Sequence, residues 1–178
     1  ADANWGPQDA LIPINTSSSP QLPLFATRSI SGFLLWFHGP LHWNSHRQSI
    51  TARSSCEAEI YATDECVKSL QHVSNILTDL DLCNLCLPDA VPVLNDNQAC
   101  ANWSSNLTSK GLRHVQIREN AVCEAVQKNC VIIHHVVGKL NLVDIFTKED
   151  KDPGHFTSVR DAIMTVCSWP FGVTRIPP

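Results

Sequence analysis

The chain has 178 residues, 43% of them hydrophobic, and a formal net charge of −4, which fits one soluble domain with a core and excludes a disordered chain. The acidic balance gives no overall pull on nucleic acid, so a polyanion partner would need a local basic patch or metal ions. No apolar stretch approaches the roughly 18 to 20 residues of a membrane span, and no basic segment followed by an apolar one opens the chain, so the expected location is intracellular.

In chain order, residues 13–27 ("PINTSSSPQLPLFAT") read as a loop, and "SISGFLLWFHGPLHWNS" reads as two strands joined at Gly39-Pro40. A long helix is predicted from Ser54 to about Leu82, with Ser54 and Glu57 at capping-box spacing. Ala62, Cys66, Leu70, Val73, Leu77 and Leu80 form its apolar stripe. "VPVLND" is a short strand, "NQACANWSSN" a short helix, "TSKG" a turn, and "LRHVQIRENAVCEAVQKN" a further helix. "CVIIHHVVG" is apolar enough to predict a central strand. "NLVDIFTKED" starts a helix, "PGHFTSVRDAIMTV" is a last amphipathic helix, and "SWPFGVTRIPP" an irregular tail. The domain is thus expected over 1–167 with a tail at 168–178. The order predicts a mixed sheet covered by helices, with ligands gathering where strands end.

The eight cysteines are scattered, as small buried thiols are. Cys83 and Cys86 have CxxC spacing but no second ligand pair at zinc-finger distance, and Gly39-Pro40 breaks the spacing of His38, His42 and His46. Trp5, Trp36, Trp43 and Trp103 sit among apolar residues and are expected in the core rather than as base-stacking platforms.

Carboxylates stand at element ends: Asp2 in "ADANW", Asp96 closing "VPVLND", and Asp144 near a helix start. Three positions before Ala62 the helix stripe reaches Glu59, whereas Glu57 lies roughly 200° around the axis from it. Each acid has a bland reading, Asp2 as a frayed terminal acid, Glu59 as a surface acid, Asp96 and Asp144 as N-caps. Together they would repel unless they share a cation, and hard oxygen ligands favour Mg2+ or Mn2+.

The stretches "DANW", "SGFLLWFHGPLHWNSHRQSITARSSCEAEIYA", "NDNQAC", "KGLRHVQIREN" and "NLVDIFTK" resemble, in order and spacing, the ribonuclease H domain of copia-type retrotransposon polyproteins, over about residues 1–166. The resemblance implies a ribonuclease H-like α/β fold, a mixed five-stranded sheet flanked by helices. It also implies endonucleolytic hydrolysis of the RNA strand of RNA–DNA hybrids during reverse transcription, leaving a 5′-phosphate and a 3′-hydroxyl. By position Asp2, Glu59, Asp96 and Asp144 look like the family's acidic quartet. The family motif alone admits Glu57, and the helix stripe selects Glu59. Two Mg2+ or Mn2+ ions about 4 Å apart would activate water and stabilise the leaving oxygen. Arg47, Gln48, Asn97, Gln98, Lys110 and Arg113 are the expected contacts to the hybrid. The implied partners are the hybrid and the reverse transcriptase domain of the same polyprotein, and the implied location is cytoplasmic.

The chain departs from the family pattern at Asn4, where a second acid is usual, at Gln116 in "RHVQ", and in "GKLN", which lacks the histidine often found before the last aspartate. Only Ala1 precedes Asp2, so the first strand is expected to be largely truncated. Two alternatives stand beside this reading. An integrase-type polynucleotidyl transferase would carry its glutamate on a late helix, against Glu59. An inactive remnant would keep the fold as a nucleic-acid-binding or structural module.

Overall fold

The computed structural model describes residues 1–5, 28–37, 39–82, 90–104, 116–148 and 152–164. The loop 13–27, His38, the Cys83/Cys86 pair, Lys110, Arg113, His114 and the tail 168–178 lie outside the described residues. The elements are β1 (Asp2–Asn4), β2 (Ile30–Trp36), β3 (Pro40–Arg47), α1 (Ser55–Asp79), β4 (Val91–Asn95), α2 (Gln98–Ser104), α3 (Gln116–Gln127), β5 (Val131–His135), a 3₁₀ turn (Gly138–Leu140), α4 (Asp144–Thr147) and α5 (Pro153–Met164). This is the expected mixed α/β arrangement, compatible with a ribonuclease H-like fold.

The five strands divide into an antiparallel sheet ordered β1-β2-β3 and a parallel pair β4-β5. Among the described residues a hydrogen bond links them, from the Ala1 amine to the Leu94 carbonyl at 2.8 Å. β5 pairs only with β4 among the described strands, so it lies at an edge, not centrally as its apolar run predicts. The run is explained by its alternation. Val131 and Ile133 face the core while Ile132 is exposed.

β2 runs through the middle of its sheet and feeds both faces. Phe33 and Leu35 join α1, β4, β5 and α3 in the main core through Ala58, Ala62, Cys66, Val67, Val93, Val122 and Val131. Leu34 and Trp36 point the other way, onto Leu142, Val159 and Ile163 beside α4 and in α5. Burying both faces explains why "FLLW" lacks a polar alternation.

α1 starts as its capping box predicts. Ser54 Oγ accepts from the Glu57 N–H at 3.1 Å, and Glu57 Oε2 accepts from the Arg53 N–H at 2.6 Å. Residues 57–64 are buried on every side, so Glu57 is as enclosed as Glu59 but is used up at the cap. The stripe fades beyond Leu70, and Leu80 is exposed. Both α1 and α3 end in a residue of positive φ, Asp81 at 57° and Asn129 at 56°. Paired backbone bonds close each end, Leu82 N–H to Leu77 and Asp81 N–H to Thr78, Cys130 N–H to Ala125 and Asn129 N–H to Val126.

Two tryptophans depart from the expectation of burial. Trp43 is 57% exposed on the edge strand β3, and Trp5 is 51% exposed while donating its indole N–H to the Ala52 carbonyl at 3.1 Å. Trp36 and Trp103 are half-buried against core clusters.

Candidate metal centre

β1 is only three residues long, yet it fixes Asp2. Its antiparallel register sets Asp2 opposite Gly32, and the Asp2 side chain is fully buried. The next residue ties β1 to α1, because the Ala3 N–H donates to Glu59 Oε1 at 3.1 Å. The other Glu59 oxygen accepts from Asn95 Nδ2 at 3.0 Å. Asn95, the last residue of β4, is fully buried, donates also to Thr63 Oγ1 at 3.2 Å, and accepts the Asn97 N–H at 2.7 Å. That turn brings Asp96 back over the strand end.

Asp2, Glu59 and Asp96 each offer a carboxylate oxygen, and these three oxygens lie within 4.8 Å of one another. Asp144, at the first position of α4, stands beside this trio. The Asn141 amide bridges it to Asp2, with Nδ2 3.2 Å from Asp2 Oδ1 and 3.4 Å from Asp144 Oδ1. Lys148, one turn further along, places Nζ 2.9 Å from Asp144 Oδ1, 3.5 Å from Asp2 Oδ1 and 3.7 Å from Asp96 Oδ2. Thr147 donates its hydroxyl to Asp2 Oδ2, and Asn4 Nδ2 donates to the Thr147 carbonyl at 3.1 Å.

Crowding of like charges away from water shows in the protonation of the acids. Burial, reinforced by the Asp2 and Asp96 charges, pushes Glu59 up to about 8 despite the Asn95 and Ala3 donors. Asp96 is raised by burial and by Asp2, with Lys148 opposing. Asp144 is raised by burial against the hydrogen bond from Lys148. Burial works against the Lys148 ammonium, but Asp2, Asp144 and Asp96 outweigh it and its pKa is raised. Oxygen-only donors that resist ionising together are a donor set suited to a hard divalent ion, which would favour their charged forms.

All four sequence-predicted acids therefore meet at one place. The expected nucleic-acid contacts are more dispersed. Arg47 is exposed, its guanidinium donating to the Arg28 carbonyl at 3.3 Å. Gln48 is 2% exposed, and its amide braces β2 against α1 by donating to Ser31 Oγ and the Ala58 carbonyl, both at 2.9 Å. A side chain so enclosed presents no donor to a ligand at the surface. Asn97 Oδ1 accepts from the Cys100 N–H at 3.1 Å at the start of α2, and Gln98 is exposed with Nε2 2.8 Å from Asn102 Oδ1.

Four residues of the centre were not singled out from the sequence: Asn95, Asn141, Thr147 and Lys148. Asn141 stands in the "GKLN" loop that lacks a histidine. His135 is a further neighbour, with Nε2 3.1 Å from the Asp96 carbonyl across the β4–β5 register.

Gly32 lets this arrangement close. A Cβ there would meet Thr147 Cγ2 at 2.7 Å, Phe146 Cβ at 3.1 Å and Val143 Cγ1 at 3.2 Å. Gly32→Ala is expected to force α4 off β2, costing about 1–3 kcal/mol in urea unfolding. It should also part Thr147 and Asp144 from Asp2. An unchanged urea midpoint would show that α4 does not pack on β2 this closely.

The chain is 28% identical over 152 residues to the "Retrovirus-related Pol polyprotein from transposon RE1" of Arabidopsis thaliana, covering 84% of this chain and 10% of that protein. It is 27% identical over 122 residues to the corresponding polyprotein of transposon RE2, covering 67% of this chain and 8% of that protein. The chain thus spans about a tenth of the length of these relatives, and it is related to a segment of retrotransposon Pol polyproteins. No protein-family model matches it. No solved structure matches it. No helix among the described residues is long and apolar enough to cross a membrane.

Proposed function

We propose that the chain is the ribonuclease H domain of a retrotransposon polyprotein, hydrolysing the RNA strand of RNA–DNA hybrids at Asp2, Glu59, Asp96 and Asp144. The observation that carries this reading is the convergence of Asp2, Glu59 and Asp96 from β1, α1 and the end of β4, with oxygens within 4.8 Å. Asp144 joins them from α4. These are four positions that the sequence resemblance marks independently of the geometry.

The residues present fit two Mg2+ or Mn2+ ions held by the four carboxylates. Such a pair, held by Asp2, Glu59, Asp96 and Asp144, would supply an activated water and stabilisation of the leaving oxygen. The chain's own groups preorganise the donors. Asn95 and the Ala3 N–H hold Glu59, Asn141 and Thr147 hold Asp2, and α4 presents Asp144. Because Asp2, Glu59 and Asp144 are held by neutral donors, these three carboxylates are already placed for ions that enter. Exposed Arg47 and Gln98, with Asn97, Lys110 and Arg113, are the contacts proposed for phosphates and ribose 2′-hydroxyls of the hybrid. The reverse transcriptase domain of the same polyprotein would be its partner, in the cytoplasm.

The test is cleavage of a labelled RNA–DNA hybrid with Mg2+ or Mn2+, beside single-stranded RNA and duplex RNA, with a chelator control. Cleavage confined to the hybrid and to metal-containing samples is expected. One observation favours the inactive-remnant reading: the Lys148 ammonium already offsets three of the aspartates. No cleavage of the hybrid, joined to no metal binding, would decide for it.

A further inference from the structure

We infer that Lys148 is the exchangeable counter-ion of the carboxylate centre: it holds Asp2, Asp96 and Asp144 together in the ion-free protein and must leave before divalent ions fill the site. The inference rests on the metal-site reading above. Its basis is which atoms Lys148 occupies. Nζ lies 3.5 Å from Asp2 Oδ1 and 2.9 Å from Asp144 Oδ1. These are the two oxygens that the Asn141 amide already aligns. An ion shared by those oxygens needs them at about 2.0–2.1 Å, with its other positions taken by water or carboxylate. A dication and an ammonium cannot both sit against the same pair of oxygens, so one displaces the other.

The side chain is built to leave. It is 41% exposed, and among the described residues its three ion-pair partners are site aspartates. Its flexible four-carbon stem starts just past the end of α4, so Nζ can turn to solvent without moving the helix. Asp2, Glu59 and Asp144 are meanwhile held by groups that do not depend on Lys148, namely Asn95, Asn141, Thr147 and the Ala3 N–H. The anchoring and the neutralising are therefore done by different residues. Lys148 is a positioning residue for the empty site and a competitor for the filled one.

The test is calorimetric titration of the chelator-stripped full chain with Mn2+ and then Mg2+, for wild type, Lys148→Met and Lys148→Arg, with thermal unfolding of each in EDTA. Lys148→Met is expected to bind Mn2+ at about tenfold lower concentration than wild type. It should also unfold at lower temperature in EDTA, a deficit that closes once metal is added. Lys148→Arg, which keeps the charge, should stay near wild type in both. Metal bound by Lys148→Met but not by wild type would support the inference in its strongest form. Equal affinity in wild type and Lys148→Met would overturn it while leaving the metal site standing. No metal bound by any of the three proteins would overturn both.

Discussion

Asp96→Asn is expected to abolish metal-dependent cleavage of an RNA–DNA hybrid, a fall of at least about a thousandfold, while leaving the ion-free protein as stable as wild type or more so. The two effects have one cause. Asp96 is raised in pKa by burial and by Asp2, so its charge is unfavourable in the empty fold. Asparagine keeps the shape and removes the charge that a divalent ion would need. Lys148 keeps Asp144 and Asp2 as partners, so the substitution leaves no orphaned ammonium. A urea melt in EDTA set beside the cleavage assay would check both halves. Cleavage near the wild-type rate would remove Asp96 from the site. A loss of more than about 1 kcal/mol in EDTA would make it a structural brace instead.

How much of this centre was legible in the sequence depends on what kind of residue each position holds. Acids at strand ends and on an apolar helix stripe are conspicuous because charge is costly there, so Asp96 and Glu59 advertise themselves. Helical phase sets Glu59 and Glu57 in different directions but not in different burial, and it is the contact of Glu57 with the Arg53 N–H that engages the second acid elsewhere. The amides were not legible. Asn95 beside Asp96, and Asn141 before Asp144, look like ordinary turn and cap residues, and only the chain crossing shows them donating to Glu59 and Asp2. Lys148 at i+4 from Asp144 looks like a surface helix pair until Asp2 arrives from the other end of the chain. Gln48 failed in the opposite sense. It follows a hairpin, where side chains are usually exposed, but α1 crosses over it. Trp43 pairs with Leu34 of the apolar strand β2, yet β3 is an edge strand and its outer positions are left to solvent.

Stripped of divalent ions by a chelator, the protein is expected to lose stability steadily as pH rises from about 4.5 towards 8. Glu59 sets the window, because its carboxyl titrates near 4.5 when unperturbed and at about 8 in the fold. Between those values the native state holds a proton that the unfolded chain has released. Stability therefore falls with pH, at a slope approaching ~1.4 kcal/mol per pH unit. Asp96 and Asp144, both raised, push in the same direction from their lower starting point of 3.8. Lys148, raised from 10.5, binds its proton in both states across this window and contributes no slope. Glu59→Gln separates this cause from others. Its amide mismatches the Asn95 donor, so the variant starts about 1–2 kcal/mol less stable at pH 5, but its stability should change far less with pH. Saturating Mg2+ should flatten the wild-type slope as well, since an ion that binds only ionised carboxylates rewards the loss of the same proton. Urea midpoints at pH 5, 6, 7 and 8, with EDTA and with Mg2+, would read all three curves. A Glu59→Gln slope equal to wild type would place the buried proton elsewhere. A wild-type slope untouched by Mg2+ would mean that the ion does not engage Glu59.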